Sequence, residues 1–249
     1  MANDSVMMEC KETEASDGRD AANVWDSDYQ GVWQLNEATR VSAVDATYYN
    51  YDATPVSNPT ASTGQIGGGL TFFDTSQLDS AAHASLDLST YSDWTISAWV
   101  RPTSYSTTDW PIVYSYGQWD ASLGLSENTG TDGLIENWIN DNDDLQSNTV
   151  VTLNAWNHIV ISRDASNTYF YLNGAADGSG SSTSISDSSQ VSYIGGGGGS
   201  SSAQFIGLID EVRVSAGSSG TASRSADWIE AQFLNTSASS TFNTFSSEE

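Results

Sequence analysis

The chain has 249 residues, a net charge of −25 from Asp+Glu 32 against Lys+Arg 7, and one cysteine, Cys10. So acidic a surface repels phosphate backbones and anionic headgroups, which excludes nucleic acid and membrane surfaces as expected partners, and a lone cysteine forms no internal bridge and says nothing of redox compartment. No run reaches the roughly 18 apolar residues of a membrane span, so no membrane insertion is expected. Nothing at the start reads as a signal peptide, so the chain is expected to be a mature form, an excised segment, or one exported by another route.

Residues 1–24 are polar and acidic without a sustained period and read as an extension. A first strand is expected over Gly31-Val32-Trp33-Gln34-Leu35-Asn36-Glu37, while Asp45 to Pro59, rich in Tyr, Asn, Asp and Pro, reads as a long surface loop. Glycines 64, 67, 68 and 69 lead into a short strand, Leu70 to Asp74. The clearest element runs from Trp94 to Pro102. Apolar or small residues at 94, 96, 98 and 100 alternate with Thr95, Ser97, Trp99 and Arg101, the two-residue period of a strand, and Pro102, with no N–H to give, ends it. The even-numbered side chains are therefore expected to turn inward between two β layers.

Trp110 to Tyr116, Asp120 to Leu125 and Leu134 to Ile139 follow as strands separated by Gly-, Asn- and Asp-rich turns, spaced as in an antiparallel meander. Trp156 to Arg163 is apolar on both sides in its second half and reads as a central strand. It turns at Asp164 to Asn167 into Tyr169 to Leu172, and Asn173-Gly174 is the strongest hairpin signal in the chain. Serines and glycines fill 178–189. Val191 to Ile194 is a short strand, Gly195 to Ser202 a loop, and Phe205 to Val214 the last strand pair. One segment reads as a helix, Ala226 to Phe233, capped by Ser225, with Asp227 near its positive end and an apolar stripe of Trp228, Ile229 and Phe233. The division this implies is an extension over 1–24, an all-β sandwich over 25–215, and a helix with a Ser/Thr/Asn tail over 216–249.

Four stretches in order, GQIGGGLTF (64–72), WTISAWVRP (94–102), WNHIVISRDASNTYFYLNG (156–174) and FIGLIDEVRV (205–214), resemble laminin-G-like, concanavalin A-like jelly-roll modules. The opening around Asn23-Val24-Trp25-Asp26 and the closing Ser225 to Phe233 resemble versions of this module that follow a DUF2341-type domain in large extracellular bacterial proteins. The resemblance implies a two-sheet antiparallel sandwich at a cell surface or secreted, and glycan or protein binding, as in lectins and adhesion modules, more often than catalysis. It also implies a structural Ca²⁺ held by Asp210 and the carbonyl of Gly68, with Glu37 adding a carboxylate by position.

The residues themselves point the same way. Glycoside hydrolysis needs two carboxylates on one face, and the strings that the resemblance implies for its glucanase branch, Glu-x-Asp-x-Glu and Glu-x-Asp-x-x-Glu, do not occur. Asp210 and Glu211 are adjacent, hence expected on opposite faces; Glu136 stands alone; His158 reads as a satisfied structural histidine. Asp141-Asn142-Asp143-Asp144 lacks the glycine and distal Glu of an EF-hand loop and reads as a solvated turn. Sugar rings stack on aromatic faces while their hydroxyls need amides and carboxylates, so the candidate binding residues are Tyr105, Trp110, Tyr116, Trp119 and Trp138, with Asn137 and Asn140 beside them. Trp94, Trp99 and Trp156 are assigned to the core. The expectation is a non-catalytic carbohydrate-binding module whose partner is a polysaccharide or glycan. A structural domain meeting a neighbouring surface protein is the alternative, and a glycan hydrolase or lyase the third reading.

Overall fold

The computed structural model describes residues 24–237 apart from 37, 38, 40, 74, 81, 106–109, 118–120, 128–130, 141, 187–190 and 199–202. At its centre is β6 (Asp93–Pro102), whose Trp94, Ile96, Ala98 and Val100 all enter the core between two sheets. The alternation read from the sequence therefore sets the inner face. β6 pairs along its length with β11 (Asn157–Arg163), from Asn157↔Val100 to Arg163↔Trp94, and on its other side with β15 (Gly207–Gly217).

Both sheets are antiparallel throughout. The eight-stranded sheet runs β13 (Ala175–Ser181), β12 (Asn167–Leu172), β11, β6, β15, β4 (Gly68–Phe72), β3 (Thr60–Thr63), with β1 (Tyr29–Trp33) sharing β15 with β4. The seven-stranded sheet runs β10 (Asn142–Val150), β9 (Leu134–Ile139), β8 (Ala121–Leu125), β7 (Ile112–Tyr116), β14 (Ser192–Ile194), β5 (Gln77–Ser80), β2 (Ala53–Val56). This is the jelly-roll sandwich expected. Asn173 and Gly174 take positive φ of 52° and 80°, the backbone a tight two-residue hairpin requires, and join β12 to β13. β2, β3, β5, β10 and β13 were not legible as strands, and Asn142 to Asp144 lie in β10 rather than in a turn.

Trp33, Phe72, Trp94, Tyr114, Tyr116, Phe170 and Phe205 fill the core, each less than 2 % exposed. Full burial of one such ring contributes about 2–3 kcal/mol. Two of these residues satisfy their polar atoms inside the core, Trp33 Nε1 donating to Tyr51 O at 2.9 Å and Tyr114 Oη to Ser192 Oγ at 2.7 Å, whereas Trp94 Nε1 has no partner among the described residues.

The outer face of the eight-stranded sheet is covered by the chain's own helix, α1 (Ala226–Ser237). Ser225 caps it, accepting from Trp228 N at 3.3 Å, and Ile229 packs on Val160 and Tyr171. Phe233 lies against Trp99, ring centroids 5.7 Å apart, and Trp99 Nε1 donates to Thr236 Oγ1 at 3.0 Å. Trp99 is thus buried outside the sandwich rather than in its core, as its odd number in β6 dictates. Trp156 is only partly buried. Trp228, assigned to the apolar stripe, is 47 % exposed.

Candidate functional site

Asp26 starts a local turn by accepting from Asp28 N at 3.0 Å. The segment is then fixed to the end of β15, where Ala216 N donates to Asp28 O at 2.8 Å and Gln30 Nε2 to Ala216 O at 3.1 Å. α1 is held to the same sheet face by Trp99 and by Gln232 Nε2 donating to Ser97 Oγ at 3.1 Å. Between the segment and the helix lies a pocket of about 410 Å³. Trp25, Tyr29 and Trp228 supply its rings, Arg213 its floor, and Gln232 and Asn235 its amides.

The charges around this pocket are internally balanced. Arg224 grips Asp26 with two bonds of 2.9 and 3.0 Å, and its guanidinium lies 4.7 Å from the Tyr29 ring centre and 4.9 Å from that of Trp228. Arg213 Nη2 donates to Glu211 Oε2 at 2.6 Å and lies 5.1 Å over Trp25. Apolar faces, neutral amides and pre-paired ions suit recognition of an uncharged polar ligand. Sequence reasoning missed this site because residues 24–29 and 226–236 are far apart in the chain; the available signal was the pair of tryptophans, Trp25 and Trp228, outside the strand motifs.

The residues chosen from the sequence scatter. Trp110, 38 % exposed, meets Trp138 edge to face with ring centres 4.5 Å apart, and Glu136 in the same strand as Trp138 accepts from Gln146 Nε2 at 2.5 Å. The cleft these residues line measures only about 10 Å³. Tyr116 is corrected to a core residue, its hydroxyl donating to Asp87. Asn137 likewise is fully buried, its amide donating to Ser122 O at 3.0 Å, so neither reaches a ligand. Tyr105 donates its hydroxyl to Val151 O and covers Gly133. Asn140 ties β9 to the 184–186 segment, donating to Ser184 O and accepting from Ser186 N, both at 2.8 Å. Trp119 and Glu37 lie outside the described residues.

Asp210 sits where β15 breaks register, between Asp210↔Trp99 and Arg213↔Ser97, and Glu211 there takes φ 52°. Because of this bulge Ile209 and Val212 both enter the core, so the simple alternation that would send Asp210 and Glu211 to opposite faces does not hold. Asp210 is fully buried. Its Oδ2 accepts from Ile66 N at 2.9 Å, while Oδ1 has no partner among the described residues. Burial pushes its carboxyl up to about 7, with the Glu211 charge adding and the Ile66 N–H opposing. A Cβ on Gly64 would collide with the Gly68 carbonyl oxygen and sit 2.5 Å from Asp210 Oδ2, so both oxygens converge on the space this glycine leaves. A buried carboxylate with one oxygen unpartnered and the other beside the Gly68 carbonyl is the kind of oxygen donor a hard cation such as Ca²⁺ takes. Among the described residues no cluster of three or more His, Cys, Asp or Glu surrounds a point, so backbone oxygens and water would complete such a shell.

His158 is 1 % exposed between the Trp99 and Phe233 rings, and neither ring nitrogen has a partner among the described residues. Burial, aided by the Arg213 charge, lowers it to about 3. It is a neutral packing group held by rings rather than the hydrogen-bonded residue expected.

The family model for the concanavalin A-like lectin/glucanases superfamily matches residues 74–220. No curated protein matches the sequence. Among solved structures, domain 4 of a GH43 extracellular arabinanase (AbnA) from Geobacillus stearothermophilus, in complex with arabinotriose, is similar at TM-score 0.59 and 16% identity, over 82% of this chain and 97% of that one. The binding domain of Paraclostridial Mosquitocidal Protein 1 is similar at TM-score 0.63 and 17% identity, and that of botulinum neurotoxin DC in complex with rat synaptotagmin II at 0.59 and 13%. Each covers over four fifths of this chain, which spans about half, 52%, of either toxin domain. At these identities the likeness is one of fold. Among the described residues no helix is long and apolar enough to cross a membrane.

Proposed function

We propose a non-catalytic binding function for this chain, which belongs to the concanavalin A-like lectin/glucanases superfamily. It takes a glycan in the pocket between residues 24–29 and α1, at a cell surface or outside the cell, with a Ca²⁺ bracing the loop around Asp210. The observation that carries this reading is the pocket itself, about 410 Å³ with exposed indole and amide groups on the outer face of a rigid sheet. The arabinotriose complex of one neighbour supports a sugar ligand in this fold. The two carboxylates beside the pocket, Asp26 and Glu211, are each held by an arginine, which supports binding over acid–base chemistry. Asp210 and Gly68 would hold the Ca²⁺, which supplies charge neutralisation to a buried carboxylate and no reaction step.

A protein partner is the second reading. It is favoured by exposed Val24, Trp228 and Leu234 at and near the pocket and by the synaptotagmin complex of one neighbour. A glycan array run with Ca²⁺ and again with a chelator separates the two. A signal that falls in Trp228→Ala by about tenfold is expected, since one aromatic contact contributes about 1 kcal/mol and a sugar stacks with more than one edge of the indole. Silence in both conditions removes the glycan, and an unchanged melting temperature under chelation removes the metal.

A further inference from the structure

The pocket does not end at Trp25. A second cavity of about 210 Å³ lies on the other side of the same wall, sharing Trp25, Asp26 and Tyr29 with the first and completed by Ser27, Thr47, Tyr48 and Tyr49. Trp25 and Tyr29 meet edge to face, ring centres 4.9 Å apart, so the wall is a braced pair of rings rather than a loose side chain. Each cavity also presents a solvent-facing ring, Trp228 at 47 % and Tyr48 at 74 % exposure. Tyr48 is supported from behind by Tyr49, ring centres 6.0 Å apart, and Tyr49 stacks on Tyr51. Aromatic surface so placed, lining two adjoining hollows without apolar cover, is a platform for a ligand with repeating apolar faces.

From this geometry we infer that the two cavities are consecutive subsites for a neutral oligosaccharide running across the Trp25–Tyr29 wall. The inference rests on the glycan reading above and extends it to ligand charge and length. Neutrality follows from the charge balance: Arg224 is paired with Asp26 and Arg213 with Glu211, so each guanidinium at the groove already has a carboxylate counter-charge and attracts a uronate or a sulfate less. The net charge of −25 adds a general repulsion of polyanions. Hydroxyl groups instead meet amides, Gln232 and Asn235, each of which gives one N–H to Ser97 Oγ or Ala231 O and keeps its oxygen as an acceptor and a second N–H as a donor.

The test titrates the full chain calorimetrically with cello-, xylo- and arabino-oligosaccharides of one to five rings, and with oligogalacturonates as the acidic counterpart. At least one neutral series should tighten by about tenfold as the ligand grows long enough to cross the wall, with the oligogalacturonates weaker at every length. Trp228→Ala should weaken all lengths, and Tyr48→Ala should flatten the dependence on length. Both side chains are exposed, and unchanged melting temperatures certify the folded state of the variants. A length dependence that survives Tyr48→Ala intact overturns the two-subsite groove, as do oligogalacturonates that bind more tightly than every neutral series; the glycan reading survives either result. Absence of binding by any sugar, neutral or acidic, sinks the glycan reading itself and takes this inference with it.

Discussion

Acidification should destabilise this protein through His158, and by a calculable amount. The unfolded imidazole takes a proton near pH 6.5, whereas the folded one, enclosed by Trp99 and Phe233, resists until about 3. Between these values the unfolded chain binds more protons. The contribution of neutral His158 is therefore complete above pH 6.5 and is lost as the pH falls toward 3. At about 1.4 kcal/mol per unit, the loss from pH 7 to pH 5 is about 2 kcal/mol, and about 5 kcal/mol over the whole window. Asp210 runs the other way: its folded value is raised to about 7, so its contribution is complete below pH about 4 and is lost as pH rises through 7. The comparison must therefore be with His158→Leu, which keeps a similar volume and leaves Asp210 in place. Urea unfolding of both proteins at pH 7 and pH 5, in chelator, should show the wild type losing about 2 kcal/mol more than the variant. Equal losses, within about 0.5 kcal/mol, would refute the assignment of His158 as a buried neutral group.

Three further outcomes follow from single contacts. Gly64→Ala should lower stability by about 3 kcal/mol and erase any rise in melting temperature on adding Ca²⁺, because its methyl group enters the space shared by Gly68 O and Asp210 Oδ2. Asp45→Ala should cost about 3 kcal/mol or more, read as a shifted urea midpoint with unchanged slope. Its carboxylate accepts from the N–H groups of Val32, Thr47 and Tyr51 at 2.9 to 3.0 Å and is 2 % exposed. Phe233→Ala should cost about 2 kcal/mol, shift tryptophan emission to the red as Trp99 meets water, and open α1 to proteolysis at protease levels that spare the wild type.

The parts of the fold legible from sequence were those with a buried inner face. β6 and β11 carry apolar residues wherever a neighbouring layer demands them, and the hairpin at Asn173-Gly174 announces itself by residues that tolerate positive φ. Four of the strands that went unread, β2, β3, β10 and β13, are the edges of the two sheets. An edge strand has one unpaired flank, and in β2 and β13 mostly exposed side chains, with none buried in β3, so Ala-Ala-Asp-Gly-Ser-Gly-Ser serves as well as an alternating run. The site was harder for a different reason. Tyr116 and Asn137 look like surface groups in a string of letters, yet strand register turns the first into the core and closes the second under Ser122. The pocket joins residues nearly a chain length apart, and no local pattern reports such a meeting. The bulge at Asp210 is also silent in sequence, since Glu211 is not a residue that advertises a left-handed backbone.

β15 is a late strand placed in the middle of its sheet. It pairs with β6 on one flank and with both β4 and β1 on the other, so Tyr29 finds its neighbour only in Ser215. A ribosome delivering this chain from its start has β6 and β11 ready long before the strand that separates them from β1 emerges. Until then the half-built sheet shows an open seam to every passing polypeptide. Such non-local closure makes for slow maturation and a window of vulnerability to misassociation, and mutual repulsion among nascent copies carrying so many carboxylates is a simple safeguard during that wait.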